Sequence, residues 1–501
     1  MLSLVDSLKK ILPAVKIILG GPEVTDNEAM ILESHPIDII VTGEGEEPFR
    51  LLMDYYAGKI NDLSGIPRIT YRDINGCIIQ NKGPQSHVAM DMLPFPYNKG
   101  FERFSHKIIY YETSRGCPFS CAYCLSGVET KPRFLSLERC FYELQLFLTL
   151  AVTQVKFIDR TFNCNKAHAM AIWRYLIEHD NNHTNFHFEI AAALLDHDML
   201  ELLQTARKGL FQFEIGIQST HRPTLEAVKR KCDMDSQQKN ISKIVSMGNI
   251  HTHVDLIAGL PHEGLDSFKE SFNAVYRLNA DHVQLGFLKL LHGSALRKAA
   301  GKYGIISKCE PPYEVLLTPD LPHHDIIRLK AIEEMLKIYY NSGRYKACLR
   351  WVVGLFRSPY DFYDTLADYY ERNMYAQVAH SKWKLYDIMY EFVTLNTTID
   401  TKLARDLLLF DMYCSEQVPN LPVWANLTLS EREVTAVREA LMHVPGNERN
   451  KYKRRLHVQK FEYDVTSFAM GSARSPLQCD SFTLFDYTER RGSPRFANFT
   501  L

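Results

Sequence analysis

From residue 107 onward, apolar strand-like runs alternate with helical stretches, and this alternation limits the possible folds more than any other feature of the sequence. Strands are predicted at 107–113, 154–159, 186–191, 211–217, 251–258 and 282–289. Helices are predicted at 135–150, 166–179, 196–207, 222–230, 236–247 and 265–279. Six strand-then-helix units are typical of a partial parallel (β/α)6 barrel, in which loops at the carboxyl ends of the strands carry the chemistry. We therefore predict an α/β barrel domain over residues 107–300.

The segments on either side of this barrel have different patterns. Residues 1–60 contain two apolar runs, each followed by a glycine-rich turn and a helical stretch, which is typical of an open parallel sheet. Two strands make only half of a Rossmann-like domain, so we expect the chain to begin partway through one. Residues 61–106 are rich in Pro, Gly and Asn and are predicted to form a linker with a hairpin near residue 75. Residues 301–501 are predicted to form a mainly helical domain with a terminal hairpin.

The composition and charge of the chain disfavour several classes of protein. The 501 residues carry a formal net charge of −1, so nothing in the overall charge favours a nucleic-acid or anionic-membrane partner. No run of about 18 apolar residues predicts a membrane-spanning helix, and the first residues do not have the pattern of a secretion signal. Eleven cysteines in such a chain are expected to be reduced thiols, which favours a cytoplasmic protein.

Three of the cysteines are clustered with the spacing C-x3-C-x2-C, at Cys117, Cys121 and Cys124. Three thiolates within eight residues can bind one iron–sulfur cluster. Because a cubane cluster has four irons, one iron is then left without a thiolate and can bind a substrate, as open metal sites do. A zinc site completed by a histidine is the alternative, but no histidine lies nearby at the spacing of a zinc finger.

The cysteine motif, with Tyr123 just before the last cysteine, resembles that of the radical S-adenosylmethionine (radical SAM) enzymes. Residues 157–162, 214–219 and 255–261 resemble the ends of the second, fourth and fifth strands of that family. Residues 20–23 and 43–46 resemble the later half of a cobalamin-binding domain. The segments 285–289 and 311–316, with the helical tail, resemble a subgroup whose carboxyl-terminal domain has no assigned function.

This resemblance implies cofactors and a reaction. A 4Fe–4S cluster would bind S-adenosyl-L-methionine at its open iron and cleave it to a 5′-deoxyadenosyl radical, with a reducing flavodoxin or ferredoxin as electron donor. Members of the cobalamin-type subgroup often transfer methyl groups, so a methyltransferase acting on a small molecule or peptide is expected. Cobalamin would have to bind without a histidine ligand to cobalt, because the sequence contains no Asp-x-His-x-x-Gly segment.

The resemblance also assigns two residues near the cluster to binding S-adenosylmethionine. Tyr123 would contact the adenine, with simple packing beneath the cluster loop as the alternative. Asp159, which ends an apolar strand, would accept hydrogen bonds from the amino group of the methionine moiety. A helix N-cap or an ion pair with Arg160 is the alternative for Asp159.

Further cofactor contacts are predicted at the ends of the fourth and fifth strands. Strand alternation places Glu214, Gly216 and Gln218 on one face. Polar side chains inside a barrel need polar partners, and the ribose hydroxyls and carboxylate of S-adenosylmethionine would supply them for Glu214 and Gln218. An internal salt bridge of Glu214 is the alternative. Gly259 and Pro261 would shape the adenine pocket, unless they form only a strand-end turn.

Two other functions are alternatives to that of a radical SAM enzyme. A non-catalytic corrinoid or iron–sulfur cluster carrier would bind the same cofactors without turnover. An RNA-modifying methylthiotransferase would need a second cysteine cluster and a basic domain, neither of which the scattered remaining cysteines and neutral charge favour.

Overall fold

The structure, a computed structural model, describes residues 2–83, 87–98, 104, 107–128, 130–418, 420–427, 430–442, 455–487 and 494–499. The chain divides into two compact units. The first comprises residues 1–271, 278–280 and 285–326, and the second comprises residues 272–277, 281–284 and 327–501. No helix within the described ranges is long and apolar enough to cross a membrane.

The first unit opens with a four-stranded sheet. Its strands are β1 (Ile18–Gly20), β2 (Ile39–Val41), β3 (Ile69–Arg72) and β4 (Ile78–Gln80), in the order β1-β2-β3-β4. Strands β1 and β2 are parallel, whereas β3 pairs antiparallel with both β2 and β4. The helices of this segment are α1 (Leu2–Ile11), α2 (Glu28–Ser34) and α3 (Glu46–Tyr56).

The hairpin β3–β4 lies in the segment that we predicted to be a linker. It is instead part of the sheet, because Ile69 and Tyr71 are buried in a core with Ile39, Val41 and Leu52. A short strand with two buried apolar residues gains more by extending a sheet than by crossing the surface as a loop. The domain boundaries at residues 60 and 106 stay predictions.

A six-stranded sheet lies mainly in the first unit, and it confirms the predicted partial barrel. Its strands are β5 (Ile109–Tyr111), β8 (Gln154–Phe157), β9 (Asn185–Ile190), β10 (Phe211–Gln218), β11 (His251–Ala258) and β12 (His282–Phe287). They lie side by side in chain order, and the first five pair in parallel. The helices are α4 (Leu137–Thr149), α5 (Lys166–Glu178), α6 (His197–Gln204), α7 (Arg222–Ala227), α8 (Met234–Met247) and α9 (Leu265–Tyr276). Two short strands, β6 (Ser114–Arg115) and β7 (Arg133–Phe134), pair antiparallel on either side of the cysteine loop.

The two faces of the central strands differ in polarity. In β10 every second residue, beginning with Phe211, is buried, while the residues between them are partly exposed. Strand β11 alternates in the same way. Pairing sets Glu214 beside Glu189 of β9 and His253 of β11, and sets Gly216 beside Asp255. The apolar face is thus in the core, and the opposite face gathers charged side chains from neighbouring strands.

The last part of the first unit contains α10 (Ala295–Lys298), β13 (Ile306–Ser307) and β14 (Val315–Leu317). The remaining helices, mostly in the second unit, are α11 (His323–Met335), α12 (Lys346–Val352), α13 (Pro359–Arg372), α14 (Lys382–Asn396), α15 (Thr401–Ser415), α16 (Glu431–Met442) and α17 (Val465–Ala469).

The chain ends in an antiparallel sheet of β15 (Leu456–Tyr463), β16 (Gln478–Asp486) and β17 (Arg495–Phe499). The third strand was not predicted. It completes the sheet because Phe496 packs against Phe410 and Phe485.

Candidate active site

The three clustered cysteines lie in the loop that follows β6. Cys117 and Cys121 are buried, and Cys124 is partly exposed. The Sγ atom of Cys117 lies 3.3 Å from the hydroxyl of Thr161, which follows β8. Burial raises the pKa of the Cys117 thiol. This thiol therefore stays protonated until a bound metal displaces the proton.

A buried carboxylate anchors the start of this loop. Asp159 is 1% exposed, and its oxygens accept hydrogen bonds from the backbone N–H of Thr113 (3.0 Å), the Thr113 hydroxyl (2.7 Å) and the Ser114 hydroxyl (2.5 Å). Burial raises the pKa of Asp159 to about 6. With three donors from the chain, Asp159 has little capacity left for the amino group of a ligand, and it does not line the cavity described next. The geometry supports a positioning role for Asp159, and its expected contact with the cofactor stays a prediction that this geometry does not support.

One cavity of about 1390 Å³ brings together most of the residues that were predicted to form the site. Its lining includes Cys117, Cys121, Tyr123, Cys124, Glu214 and Gln218. The three thiols therefore share a space with polar side chains from the carboxyl half of β10. This arrangement is the expected one for a barrel whose chemistry lies at the carboxyl ends of its strands.

Glu214 is engaged in an ion-pair network on the polar face of the sheet. Its Oε2 lies 3.0 Å from His187 Nε2 and 3.1 Å from Lys156 Nζ. The hydrogen bond with His187, supported by Lys156, lowers the pKa of Glu214 to about 2. The internal salt bridge, which was the alternative for Glu214, is therefore present. Glu214 remains a cavity residue, but its carboxylate already has partners from the chain.

Gly216 and Gln218 form a narrow cradle in the wall of the cavity. A Cβ atom on Gly216 would collide with the Gln218 amide and lie 3.4 Å from Arg230 Nη2. Gln218 has a φ of 73°, in the left-handed region. Its Oε1 is buried, and no hydrogen-bond partner for it exists within the described residues. A buried acceptor without a partner in a large cavity is what a ligand with hydroxyl or amino donors would satisfy.

Three residues that sequence reasoning missed also line this cavity: Glu189, Arg230 and Asp255. Burial, reinforced by the charge of Glu214, raises the pKa of Glu189 to about 7. Burial likewise raises the pKa of Asp255, which lies 3.1 Å from His253 Nε2. A signal existed for both acids, because each is a carboxylate within a predicted barrel strand, as Glu214 is.

Arg230 had no such signal, because it lies between two lysines in a segment that looks like a solvated charge run. Its Nη1 donates to the Tyr123 hydroxyl at 3.1 Å and lies 3.8 Å from Cys121 Sγ. Its Nη2 donates to the carbonyl of Gly216, and its Nε is buried without a hydrogen-bond partner in the described part of the chain. Arg230 thus places a fixed positive charge between the cysteine loop and the cradle.

Gly259 and Pro261 do not line the cavity. Gly259 has a φ of 87°, and a Cβ atom on it would lie 2.7 Å from Val315 Cγ1. The glycine is therefore required by close packing of the strand end against β14. The expected contact of both residues with an adenine stays a prediction that this geometry does not support.

Among the described residues, no three His, Cys, Asp or Glu side chains form a group that could hold a single metal ion. A zinc ion needs its ligand atoms within one coordination sphere of about 2.0–2.3 Å radius. Thiolates that bind different irons of one cluster lie further apart, and the C-x3-C-x2-C spacing of the cysteine loop is compatible with that arrangement.

A second cavity, of about 480 Å³, lies at the carboxyl ends of β1 and β2. Its lining contains apolar residues, among them Val41 and Phe49. It also contains four glycines: Gly20, Gly21, Gly43 and Gly45. No histidine lies in this lining. Glycines at the ends of parallel strands let a ligand approach the backbone closely, which is the usual position of cofactors in open α/β sheets.

Two protein families match different parts of the chain. Residues 111–275 match the radical SAM superfamily, and residues 301–477 match a family described as a protein of unknown function, DUF4080. The cysteine loop and the cradle both lie within the first match.

Methyltransferases occur among the curated relatives, and two of them match about half of this chain. One is the cobalamin-dependent radical SAM methyltransferase TokK of Streptomyces tokunonensis, with 28% identity over 54% of this chain and 41% of that protein. The other is the 2-(S-pantetheinyl)-carbapenam-3-carboxylate methyltransferase of Streptantibioticus cattleyicolor, with 26% identity over 52% of this chain and 41% of that protein. The chain thus spans about two fifths of the length of these relatives.

Among solved structures, the cobalamin-dependent S-adenosylmethionine radical enzyme OxsB with aqua-cobalamin bound has a similar fold. The TM-score is 0.56 at 16% identity, over 87% of this chain and 72% of that chain. Because the match covers 87% of this chain, the similarity in fold includes residues outside the barrel.

Proposed function

We propose that this chain, whose residues 111–275 match the radical SAM superfamily, is an enzyme that cleaves S-adenosylmethionine at a 4Fe–4S cluster held by Cys117, Cys121 and Cys124. One observation carries the proposal. The three thiols open onto a cavity of about 1390 Å³ whose wall has two buried polar atoms without partners in the described chain, Gln218 Oε1 and Arg230 Nε. The donor set thus fits both the cluster and a polar ligand beside it.

When bound, the cluster and S-adenosylmethionine supply the one-electron cleavage of a carbon–sulfur bond. The residues of this chain bind and orient the ligand. Gln218 would accept from the ribose hydroxyls, and Arg230 would pair with the methionyl carboxylate. Glu189 would pair with the amino group, because a carboxylate whose ionisation is opposed by burial is stabilised by a neighbouring cation.

Tyr123 would contact the adenine in this arrangement. Its position between two cysteine ligands and its hydrogen bond with Arg230 hold its ring at the edge of the cluster loop. Asp159 holds the backbone that precedes Cys117, and Thr161 holds the Cys117 side chain. Both residues therefore act by positioning the cysteine loop.

Anaerobic reconstitution with iron and sulfide tests this function. We expect about four irons per chain and, after reduction, formation of 5′-deoxyadenosine from S-adenosylmethionine, measured by liquid chromatography. The Cys121→Ala variant should lose both, whereas Cys77→Ser, a change of an exposed cysteine in the turn between β3 and β4, should lose neither. A chain that binds the cluster and yields no 5′-deoxyadenosine would be a carrier, and a chain that binds no cluster would contradict the proposal altogether.

We further infer methyl transfer with cobalamin as the use of this chemistry. The glycine-lined cavity at β1 and β2 supports this inference, as does the cobalamin dependence of TokK and OxsB that their names state. The apolar residues that line this cavity would hold part of the cobalamin. Because no histidine lies in the lining, no imidazole from it would bind the cobalt. A small-molecule or peptide substrate and a flavodoxin or ferredoxin donor complete the proposal.

Equilibrium dialysis with hydroxocobalamin tests this second step separately. The Gly45→Val variant fills the cavity and should reduce cobalamin binding at least tenfold, since the added side chain occupies the ligand space. Gly65→Val, at a glycine with open space around it, is the matched control. Absence of cobalamin binding by the unmodified chain would contradict cobalamin-dependent methyl transfer and leave the cleavage of S-adenosylmethionine standing.

A further inference from the structure

Glu263, in the loop between β11 and α9, is a buried carboxylate that the proposed chemistry does not use. It is 1% exposed, and it does not line the active-site cavity. Its Oε1 accepts hydrogen bonds from the hydroxyls of Ser219 at 2.6 Å and Ser271 at 3.1 Å, and both serines are fully buried. One carboxylate oxygen therefore determines where both hydroxyl protons point.

The same two serine oxygens accept hydrogen bonds from the backbone that follows β10. The Ser219 oxygen accepts from the N–H of His221 at 2.9 Å, and the Ser271 oxygen accepts from the N–H of Thr220 at 2.9 Å. The Thr220 hydroxyl lies 3.0 Å from the same Ser271 oxygen, and it is the donor there because the Ser271 proton points to Glu263. Glu263 thus anchors the end of this strand through two hydroxyls.

The loop that carries Glu263 is itself held in place. The N–H of His262 donates to Asp320 Oδ2 at 3.1 Å. A Cβ atom on Gly264 would lie 3.0 Å from the carbonyl oxygen of Asp320, so the two backbones pack closely there. Helix α9 begins directly after Gly264 and carries Ser271. The carboxylate and one of its two donors therefore project from a fixed backbone.

The anchored segment adjoins the cradle of Gly216 and Gln218. Gln218 has a φ of 73°, a conformation that a non-glycine residue keeps only where its surroundings enforce it. Before Gln218, the carbonyl of Gly216 accepts from Arg230 and, at 3.0 Å, from Gln237 Nε2. After Gln218, the hydrogen bonds that end at Glu263 hold the chain. The backbone on both sides therefore fixes where the Gln218 side chain points.

The charge of Glu263 is a poor source of stability at this position. Within the part of the chain that the structure describes, no ion pair joins Glu263 to a cation, and burial raises its pKa to about 7. A buried carboxylate without a cation stabilises a fold less than an apolar side chain of the same size would. A carboxylate oxygen only accepts, however, so both serine protons must point towards it. Its contribution therefore lies in orienting the two hydroxyls.

We propose that Glu263 is a positioning residue for S-adenosylmethionine, which holds the backbone after Gln218 so that the Gln218 amide faces the cavity. The inference rests on the proposed function, in which Gln218 accepts hydrogen bonds from the ribose hydroxyls. Thr220, which also lines the cavity, is fixed by the same hydrogen bonds. Loss of the Glu263 carboxylate should therefore weaken ligand binding, although this carboxylate does not line the ligand cavity.

Hydrogen–deuterium exchange of the chain without added cofactors tests the anchor directly. In the Glu263→Ala variant, a peptide that contains residues 219–221 should exchange about tenfold faster, because the N–H groups of Thr220 and His221 lose ordered acceptors. Glu263→Gln keeps an acceptor oxygen in the place of Oε1, so this peptide should exchange as it does in the unmodified chain. A peptide from β8 should exchange at the same rate in all three proteins.

Equilibrium dialysis of the reconstituted chain with S-adenosylmethionine gives a second readout. Glu263→Ala and the milder Ser271→Ala should each weaken binding, by about tenfold and about fivefold, and the double variant should bind as Glu263→Ala does because both changes break one chain of hydrogen bonds. Glu263→Gln should bind within about twofold of the unmodified chain. Asp411→Ala is the matched control. This buried carboxylate of the second unit accepts from the N–H groups of Ala347 and Cys348, both at 2.9 Å, so its loss should destabilise the fold and leave binding unchanged.

Unchanged exchange of the 219–221 peptide in both Glu263→Ala and Ser271→Ala would overturn the proposal. So would failure of Glu263→Gln to keep the affinity, or a loss of affinity in Asp411→Ala as large as that in Glu263→Ala, since general destabilisation would then explain the effect. An unmodified chain that binds no S-adenosylmethionine would refute the proposed function alone, because the exchange rates decide the anchoring role without a ligand.

Discussion

Replacing Asp159 with alanine is expected to destabilise the barrel and to loosen the cysteine loop. The side chain accepts three hydrogen bonds from Thr113 and Ser114, which precede Cys117 by only a few residues. Alanine cannot accept any of them. The buried Thr113 N–H would have no other acceptor, whereas the two hydroxyls can rotate towards new partners.

The expected magnitude follows from these contacts. A buried donor without a partner costs about 1–3 kcal/mol, and each lost hydrogen bond to a hydroxyl about 0.5–1.5 kcal/mol, so the total is about 3 kcal/mol. Because burial raises the folded-state pKa of Asp159 to about 6 from 3.8, its contribution is fully present below pH 3.8 and decreases as pH rises through 6. The difference between the two proteins should therefore be largest below pH 3.8, smaller at pH 5 and smallest at pH 8.

Urea denaturation followed by circular dichroism, at pH 5 and pH 8, measures this difference, and iron content after reconstitution reports on the loop. Asp196→Ala is the matched control, since the partly exposed Asp196 caps α6 by accepting a hydrogen bond from the N–H of Met199 at 3.1 Å. It should cost about 1 kcal/mol and leave iron content unchanged. A loss below 1 kcal/mol for Asp159→Ala at pH 5, or a loss that grows with pH, would refute the anchoring role.

Three further changes test other parts of the site. Gly216→Ala pushes the Gln218 amide out of the cradle, so affinity for S-adenosylmethionine, measured by equilibrium dialysis, should fall about tenfold, and an unchanged affinity would count against the cradle. Gly259→Ala forces a Cβ atom against Val315 at a positive φ and should cost about 2–4 kcal/mol in denaturation; a cost below 1 kcal/mol would show that the strand end relaxes freely. Glu214→Gln removes a carboxylate with a pKa of about 2, so its stability loss of about 2 kcal/mol should be present above pH 4.5 and disappear as pH falls towards 2; a pH-independent loss would contradict the ion pairing.

The barrel could be predicted from the sequence because its strands and helices have strong, distinct periodicities. All six strands lie within a few residues of their predicted positions, and their order in the sheet is the chain order. The hairpin β3–β4 was predicted near residue 75 but was placed in a linker, because its pairing with β2 joins segments that are distant in the chain.

The site was predictable only where the signal was local. The cysteine spacing and the strand alternation of Glu214 and Gln218 are properties of neighbouring residues, and the structure places all of these residues on one cavity. Arg230 depends on how the segment after α7 folds back onto the cysteine loop, which no local pattern contains. Asp159 ends its strand as expected, but the donors that surround it lie 45 and 46 residues away in the chain.

The central claim is that one iron of the cluster has no cysteine ligand. Electron paramagnetic resonance of the reduced, reconstituted protein tests this claim most directly. Adding S-adenosylmethionine should shift the g values of the reduced cluster, because the ligand would bind the one iron that Cys117, Cys121 and Cys124, as the proposed cluster ligands, would leave open. A cluster signal that S-adenosylmethionine leaves unchanged would contradict the claim.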